Sequence, residues 1–189
     1  GLAREGSTTV NGPLLWFLNR GTGIVLLVVM TISVVLGVLS ARARVGGGTP
    51  GFVRALVHRN VALLAVAMLV VHVTSAVVDT YVDIRWWDAL VPWGGLYQPV
   101  WLGLGALALD LLAAVTITSL LRTRLPHAAW RLVHWAGYLA WGIAVVHGIG
   151  IGTDTEAQWS VGLTAACVVA VVLAAGVRVT GTVRKAIRA

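Results

Sequence analysis

Five apolar stretches dominate this chain, near residues 14–40, 52–78, 99–121, 129–149 and 159–178. Each is long enough to cross a hydrocarbon core of ~30 Å, which takes about 20 mainly apolar residues in helical form. Lipid offers no partners to backbone amides and carbonyls, so open-ended runs of this kind must close their hydrogen bonds internally as helices. With 58% hydrophobic and 11% charged residues, a water-soluble domain would carry far too apolar a surface. The expected fold class is therefore all-α, a polytopic membrane bundle of five transmembrane helices. The first stretch exceeds a signal-peptide core and has no cleavage-like continuation, so it reads as a retained span.

The formal net charge of +7 would suit a nucleic-acid binder, but its distribution suits a membrane better. Arg42, Arg44, Arg54 and Arg59 surround the first connection, Arg122, Arg124 and Arg131 the third, and Arg178, Arg184, Lys185 and Arg188 the C-terminal end. The other connections hold Asp79, Asp83, Asp88, Asp154 and Glu156, with Arg85 as their one base. The positive-inside rule then predicts an outside N-terminus and a cytoplasmic C-terminus, the parity that five spans require. The expected location is the cell membrane, with lipid as partner and no nucleic acid. Trp16, Trp86, Trp87, Trp93 and Trp159 fall at expected outer ends and Trp130 at an inner end, as amphipathic indoles prefer.

Along the chain, residues 1–12 read as a flexible N-terminal segment, 13–178 as the transmembrane domain and 179–189 as a basic cytoplasmic tail. Residues 44–51 read as a turn, with Pro99 and Pro126 as helix starters. The aromatic connection from Asp79 to Gln98 reads as a lid or an interfacial helix. Gly103-Leu104-Gly105-Ala106 has only a superficial likeness to a dinucleotide fingerprint, since no strand precedes it. Cys167 is alone and reads as a small core residue.

Four histidines interrupt these apolar runs. His58 and His72 are 14 residues apart, and His134 and His147 are 13 apart. At ~1.5 Å per residue each pair spans roughly 20 Å of helix, one imidazole near each face of a bilayer. Intramembrane ionisable groups mark function by default. Spans two and four run in the same direction, so the ligands pair by depth: His58 with His134 on the inner side, His72 with His147 on the outer. Two stacked bis-imidazole sites match a transmembrane dihaem electron carrier. Zinc fits less well, since two ligands per depth leave a tetrahedral site short. Helical phase divides the two spans. Fourteen residues return to within about 40° of one face, whereas thirteen miss by roughly 140°. Span four must tilt, bulge near Gly137 and Gly142, or present its imidazoles at different angles.

These residues also carry a family likeness. His58-Arg59-Asn60 and His72, followed by Trp130-Arg131-Leu132-Val133-His134-Trp135-Ala136-Gly137-Tyr138 and His147-Gly148, resemble the ferric reductase-like transmembrane domain. That superfamily includes the membrane part of NADPH oxidases, metalloreductases and the haem subunit of bacterial methionine sulfoxide reductase. The likeness covers nearly all of 13–178, and the 14/13 spacing is its most specific element. It implies two haem b groups, with electrons passing from a cytoplasmic flavin or a quinol to an extracytoplasmic acceptor. It also implies that Arg20 lies near the outer haem, where it would pair with a propionate or polarise an acceptor. Snorkelling is the plainer alternative for Arg20. Arg59 is placed either as a propionate partner or as ordinary inner-leaflet charge.

The sequence departs from the family at three points. Ala76 stands where the oxidases carry a further histidine, which puts dioxygen reduction in doubt. Five spans replace the usual six, a minimal form. No fused flavin or nicotinamide domain is expected, so the implied donor is a separate flavoprotein or a quinol, and the acceptor ferric iron, a partner protein or oxygen. The expected function is that of an oxidoreductase component. The alternatives are a quinol-linked cytochrome b subunit and, from another class, a haem-free scaffold or transporter subunit. Among the remaining polar groups, Asp110 reads as a structural bond to a Thr or Ser of another helix, with a proton relay as the functional alternative. His127 is left out of the haem sites. Gly21, Thr22, Gly23 and Gly37 give span one small faces for close approach.

Overall fold

The computed structural model describes the backbone of residues 11–42, 50–79 and 82–187, with side chains over 14–40, 50–79 and 82–180. Most of the N-terminal segment, most of the turn at 44–51 and the terminal basic side chains lie outside the described residues. Five helices follow in order: α1 (Asn11–Arg42), α2 (Gly51–Val78), α3 (Pro99–Leu120), α4 (His127–Ile151) and α5 (Gln158–Ile187). No strand occurs among the described residues. All five are long and apolar enough to span a membrane. Proline sets three of the starts. Pro50 and Pro126 cap α2 and α4 in extended conformation, and Pro99 opens the first turn of α3, where its missing amide leaves nothing unpaired. The helix α5 continues to Ile187, so the stretch expected as a tail is helical through that residue.

The helices associate as two hairpins. Packing of α1 on α2 and of α3 on α4 dominates, while α1 also touches α5 and α4. Helices α2 and α4, which carry the four histidines, share no comparable packed seam. An apolar belt joins the hairpins at mid-height: Leu26 and Met30 of α1, Ala65 and Met68 of α2, Leu112 of α3 and Trp141 of α4. Trp141 donates its indole N–H to Thr31 Oγ1 at 3.0 Å, so the one polar atom each brings to the belt is satisfied. Large apolar side chains such as Leu132, Phe52 and Leu173 face outward on several helices, the arrangement a lipid solvent favours.

The connection between α2 and α3 forms turns over the end that carries His72 and His147, not an interfacial helix. It is pinned by Asp88, only 2% exposed, which accepts from the Arg85 amide at 3.0 Å and from its guanidinium at 3.1 and 3.2 Å. Hydrogen bonding by Arg85 holds the Asp88 carboxyl below its ordinary value. A depressed folded-state value means that this stabilisation is complete above the ordinary carboxylate pKa of ~3.9 and is lost as pH falls through the lower folded value. Asp88→Asn is therefore expected to increase protease cutting within 82–98 at neutral pH, whereas the parent shows it only below about pH 4. Equal cutting of both proteins at neutral pH would remove the pinning role.

Gly103 and Gly105 have separate packing duties. A Cβ on Gly103 would lie 2.6 Å from the ring of Trp93, whose positive φ of 63° turns the loop back onto α3. Gly105 faces His147.

A two-level histidine site between the hairpins

The structure brings the histidines together by depth. At one end the His58 and His134 rings lie 6.2 Å apart between centroids, with planes at 82°. At the other, His72 and His147 line a single cavity of about 820 Å³, together with Arg20, Gly23, Gly105 and Asp154. That size falls in the range of sites that enclose a small-molecule cofactor, ~300–1,000 Å³. The apolar belt separates the two levels. Two imidazoles bonded through Nε2 to opposite sides of one metal ion, at ~2.0 Å per bond, place their centroids roughly 6 Å apart. The separation of the His58 and His134 rings fits that requirement.

Each imidazole is oriented through Nδ1. His58 Nδ1 donates to the Ser33 carbonyl at 3.0 Å, His72 Nδ1 to the Asn19 carbonyl at 3.0 Å and His147 Nδ1 to the Trp101 carbonyl at 2.7 Å. A backbone carbonyl only accepts, so these three Nδ1 atoms carry the proton and leave the Nε2 lone pair for a ligand. The carbonyls are reachable for a local reason. A helical side chain covers the turn N-terminal to its own Cα, so the residue four positions on normally shields a carbonyl. Four residues after Ser33, Asn19 and Trp101 stand Gly37, Gly23 and Gly105. A Cβ at these positions would lie 3.3, 3.0 and 2.6 Å from Cε1 of His58, His72 and His147, respectively. Each glycine is thus a notch that admits an imidazole to the carbonyl beneath.

The fourth histidine differs. His134 Nδ1 lies 3.4 Å from Ser119 Oγ, and its ring stacks on Trp130 at 5.0 Å and 23°. Helix α4 is uninterrupted and has no bulge, so the thirteen-residue spacing is resolved by presenting the two imidazoles at different angles. A Cβ on Gly142 would meet nothing within 4 Å and one on Gly137 only Val115 at 4.0 Å, so close packing requires glycine at neither.

Asn19 is a site residue that sequence reasoning passed over. Its side-chain amide donates to the His72 carbonyl at 2.8 Å and to Ser75 Oγ at 3.3 Å, locking α1 to α2 beside the His72 imidazole. The same amide lies farther from His72 Nδ1, at 3.4 Å. A polar Asn in an apolar span, 14 residues before Ser33 as Gly23 is before Gly37, was the available signal.

Arg20 projects into the cavity wall at the His72 end. Its guanidinium pairs with Asp154 and Thr153 of the α4–α5 connection and lies over the Trp16 ring at 5.2 Å. This joins α1 to the outer turn and satisfies the charge within the protein. Arg59 is exposed, while Arg54, one turn before His58 and on the same helical face, is half-buried. At that level two buried atoms, Ser40 Oγ and Trp130 Nε1, have no hydrogen-bond partner among the described residues. Donors of this kind suit a carboxylate.

The other polar candidates separate. Asp110 makes no hydrogen bond or ion pair among the described residues, so the expected bond to Thr or Ser is not formed. It shares an arc of α3 with the exposed Ala113, Ala114 and Ile117, turned away from Gly105. His127 lies against Trp130 with ring centroids 5.5 Å apart and planes tilted at 49°, and belongs to neither histidine pair. Thr22 bonds only to carbonyls of its own helix, and Gly21 meets nothing within 4 Å, whereas Gly23 and Gly37 meet imidazoles. Cys167 is buried in α5.

No cluster of three or more His, Cys, Asp or Glu occurs among the described residues. Two nitrogens at each level suit an ion whose remaining positions are filled by a macrocycle better than a bare metal. The chain matches no protein-family profile, no curated protein and no solved structure.

Proposed function

We propose that this protein is a membrane cytochrome b that carries electrons between the two sides of a bilayer through two haem b groups. His58 and His134 would hold the inner group, and His72 and His147 the outer. The single observation that carries this reading is the orientation of the imidazoles. Three of the four have Nδ1 on a backbone carbonyl and the Nε2 lone pair free, the tautomer that metal ligation requires. Haem bound in this way supplies a one-electron carrier whose potential responds to hydrogen bonding and burial.

The chain's own residues do the rest. Gly23, Gly37 and Gly105 admit the imidazoles, and the carbonyls of Asn19, Ser33 and Trp101 fix their tautomer. The belt around Met30 and Trp141 places apolar side chains between the two levels. Ser40 Oγ and Trp130 Nε1 offer donors to inner-site carboxylates. Arg20, held by Asp154, borders the outer site and ties α1 to the α4–α5 connection there.

The distribution of arginine supports a cytoplasmic position for the His58 end and hence electron flow outward. The donor would be a separate flavoprotein or a quinol, and the acceptor ferric iron, a partner protein or oxygen. A quinol-linked cytochrome b subunit shares this core and differs only in its donor. A haem-free scaffold would need the histidines only for internal bonds, and would leave four Nε2 atoms without a role. A reduced-minus-oxidised visible spectrum with haem quantitation tests the proposal. Two low-spin b-type haems per chain are expected, and a protein purified from haem-replete cells with none would overturn it.

A further inference from the structure

We infer that Ser119 is a positioning residue for His134 and makes the His58–His134 site the less firmly preset of the two. This rests on the haem-ligand reading above.

The inference comes from the one break in an otherwise repeated device. On α1 the notch glycines Gly23 and Gly37 are 14 residues apart, matching His58 and His72 on α2. On α3, 14 residues after Gly105 stands Ser119. Only α4 departs, with 13 residues between its histidines, which turns His134 by roughly 140° from the face of His147. Its imidazole therefore does not share the row along which His147 reaches the Trp101 carbonyl. At the corresponding place the Val115 carbonyl already accepts from Thr118 Oγ1 at 3.2 Å, and Ser119 stands four residues on where the other rows have glycine. Ser119 offers its own Oγ instead, at 3.4 Å, against 2.7–3.0 Å for the three carbonyl bonds.

The chemistry of the partner matters as much as its distance. A carbonyl dictates that Nδ1 carries the proton, whereas a hydroxyl donates as readily as it accepts and so leaves the tautomer open. When Nε2 serves as ligand, Nδ1–H must donate to Ser119 Oγ. This makes the imidazole a stronger electron donor, though less so than a short bond to a carbonyl would. Trp130 holds the plane of the ring by stacking, and Ser119 Oγ gives Nδ1 a partner without fixing which nitrogen is protonated.

The test uses the full-length protein carrying His147→Ala, so that only the His58–His134 haem remains. Ser119→Ala, Ser119→Thr and the unaltered Ser119 are compared by redox titration and by haem loss to apomyoglobin. Ser119→Ala is expected to raise the midpoint potential, since the acceptor on Nδ1 is gone, and to speed haem loss about 10-fold. Ser119→Thr, which keeps the hydroxyl, should restore the parental potential. If Ser119→Ala and Ser119→Thr both titrate at the parental potential, or shift alike, the positioning role is overturned. Absence of haem from the protein with all four histidines would instead overturn the proposed function, so the two failures are distinct.

Discussion

Replacing His72 with Ala is expected to reduce the haem content from two per chain to one, and so is replacing His58, His134 or His147. The double variants carry the sharper result. Pairing by depth means that His72→Ala with His147→Ala removes two ligands of one site, leaving one haem. His58→Ala with His72→Ala breaks both sites and leaves none. Pairing along a single helix would give the opposite pattern. The approach of His58 to His134 and the shared cavity of His72 and His147 favour the first outcome. In vesicles loaded with a reductant, every single variant is expected to reduce an external ferric chelate no faster than vesicles without protein. Retention of the parental rate by any of them would remove that histidine from the pathway.

The notch glycines should form a graded series. Gly105→Ala brings a Cβ to 2.6 Å from His147, a separation that forces the imidazole or the helix to move. Gly23→Ala brings one to 3.0 Å from His72 and Gly37→Ala to 3.3 Å from His58, where smaller adjustments suffice. Overpacking in a tight interior costs ~1–3 kcal/mol. On that scale Gly105→Ala should weaken haem retention at its site by roughly 5- to 150-fold. Gly37→Ala should have the smallest effect. Gly142→Ala serves as the control, since nothing lies within 4 Å and the gain in helix propensity is of order 1 kcal/mol. Haem retention measured across the four variants decides the point. Equal loss in Gly105→Ala and Gly142→Ala would show that close approach to the imidazole is not what the glycine provides.

The spans were legible because lipid leaves helices little choice. The apolar limits at 14–40 and 52–78 lie within a residue of the spans found, and α4 begins two residues early because Pro126 already holds an extended cap. Depth pairing was legible for a related reason, since a rise per residue converts spacing directly into height. The partners of Nδ1 were not legible, because a backbone carbonyl has no identity in the sequence. Their trace was the alignment of Gly23 and Gly37 with the histidine spacing, and of Asn19 and Ser33 with the same period. The ion pair of Arg20 with Asp154 joins residues far apart in the chain and follows only from the fold. The half-buried position of Arg54 and the exposed one of Arg59 follow from helical phase, Arg54 being four residues before His58 and Arg59 one after it. Asp110 was misread because a mid-span acid was assigned an internal partner that the exposed arc of α3 does not provide.

The division into two hairpins bears on how the protein is made. Each site draws one histidine from α2 and one from α4, and those helices have no packed seam of their own. During synthesis the first hairpin leaves the ribosome with half of each site, and neither half can complete itself until α4 has entered the bilayer. Cofactor supply would then act as an assembly checkpoint. Ligand that binds only the joined hairpins stabilises them by mass action, so chains starved of haem should be the ones that membrane proteases clear first.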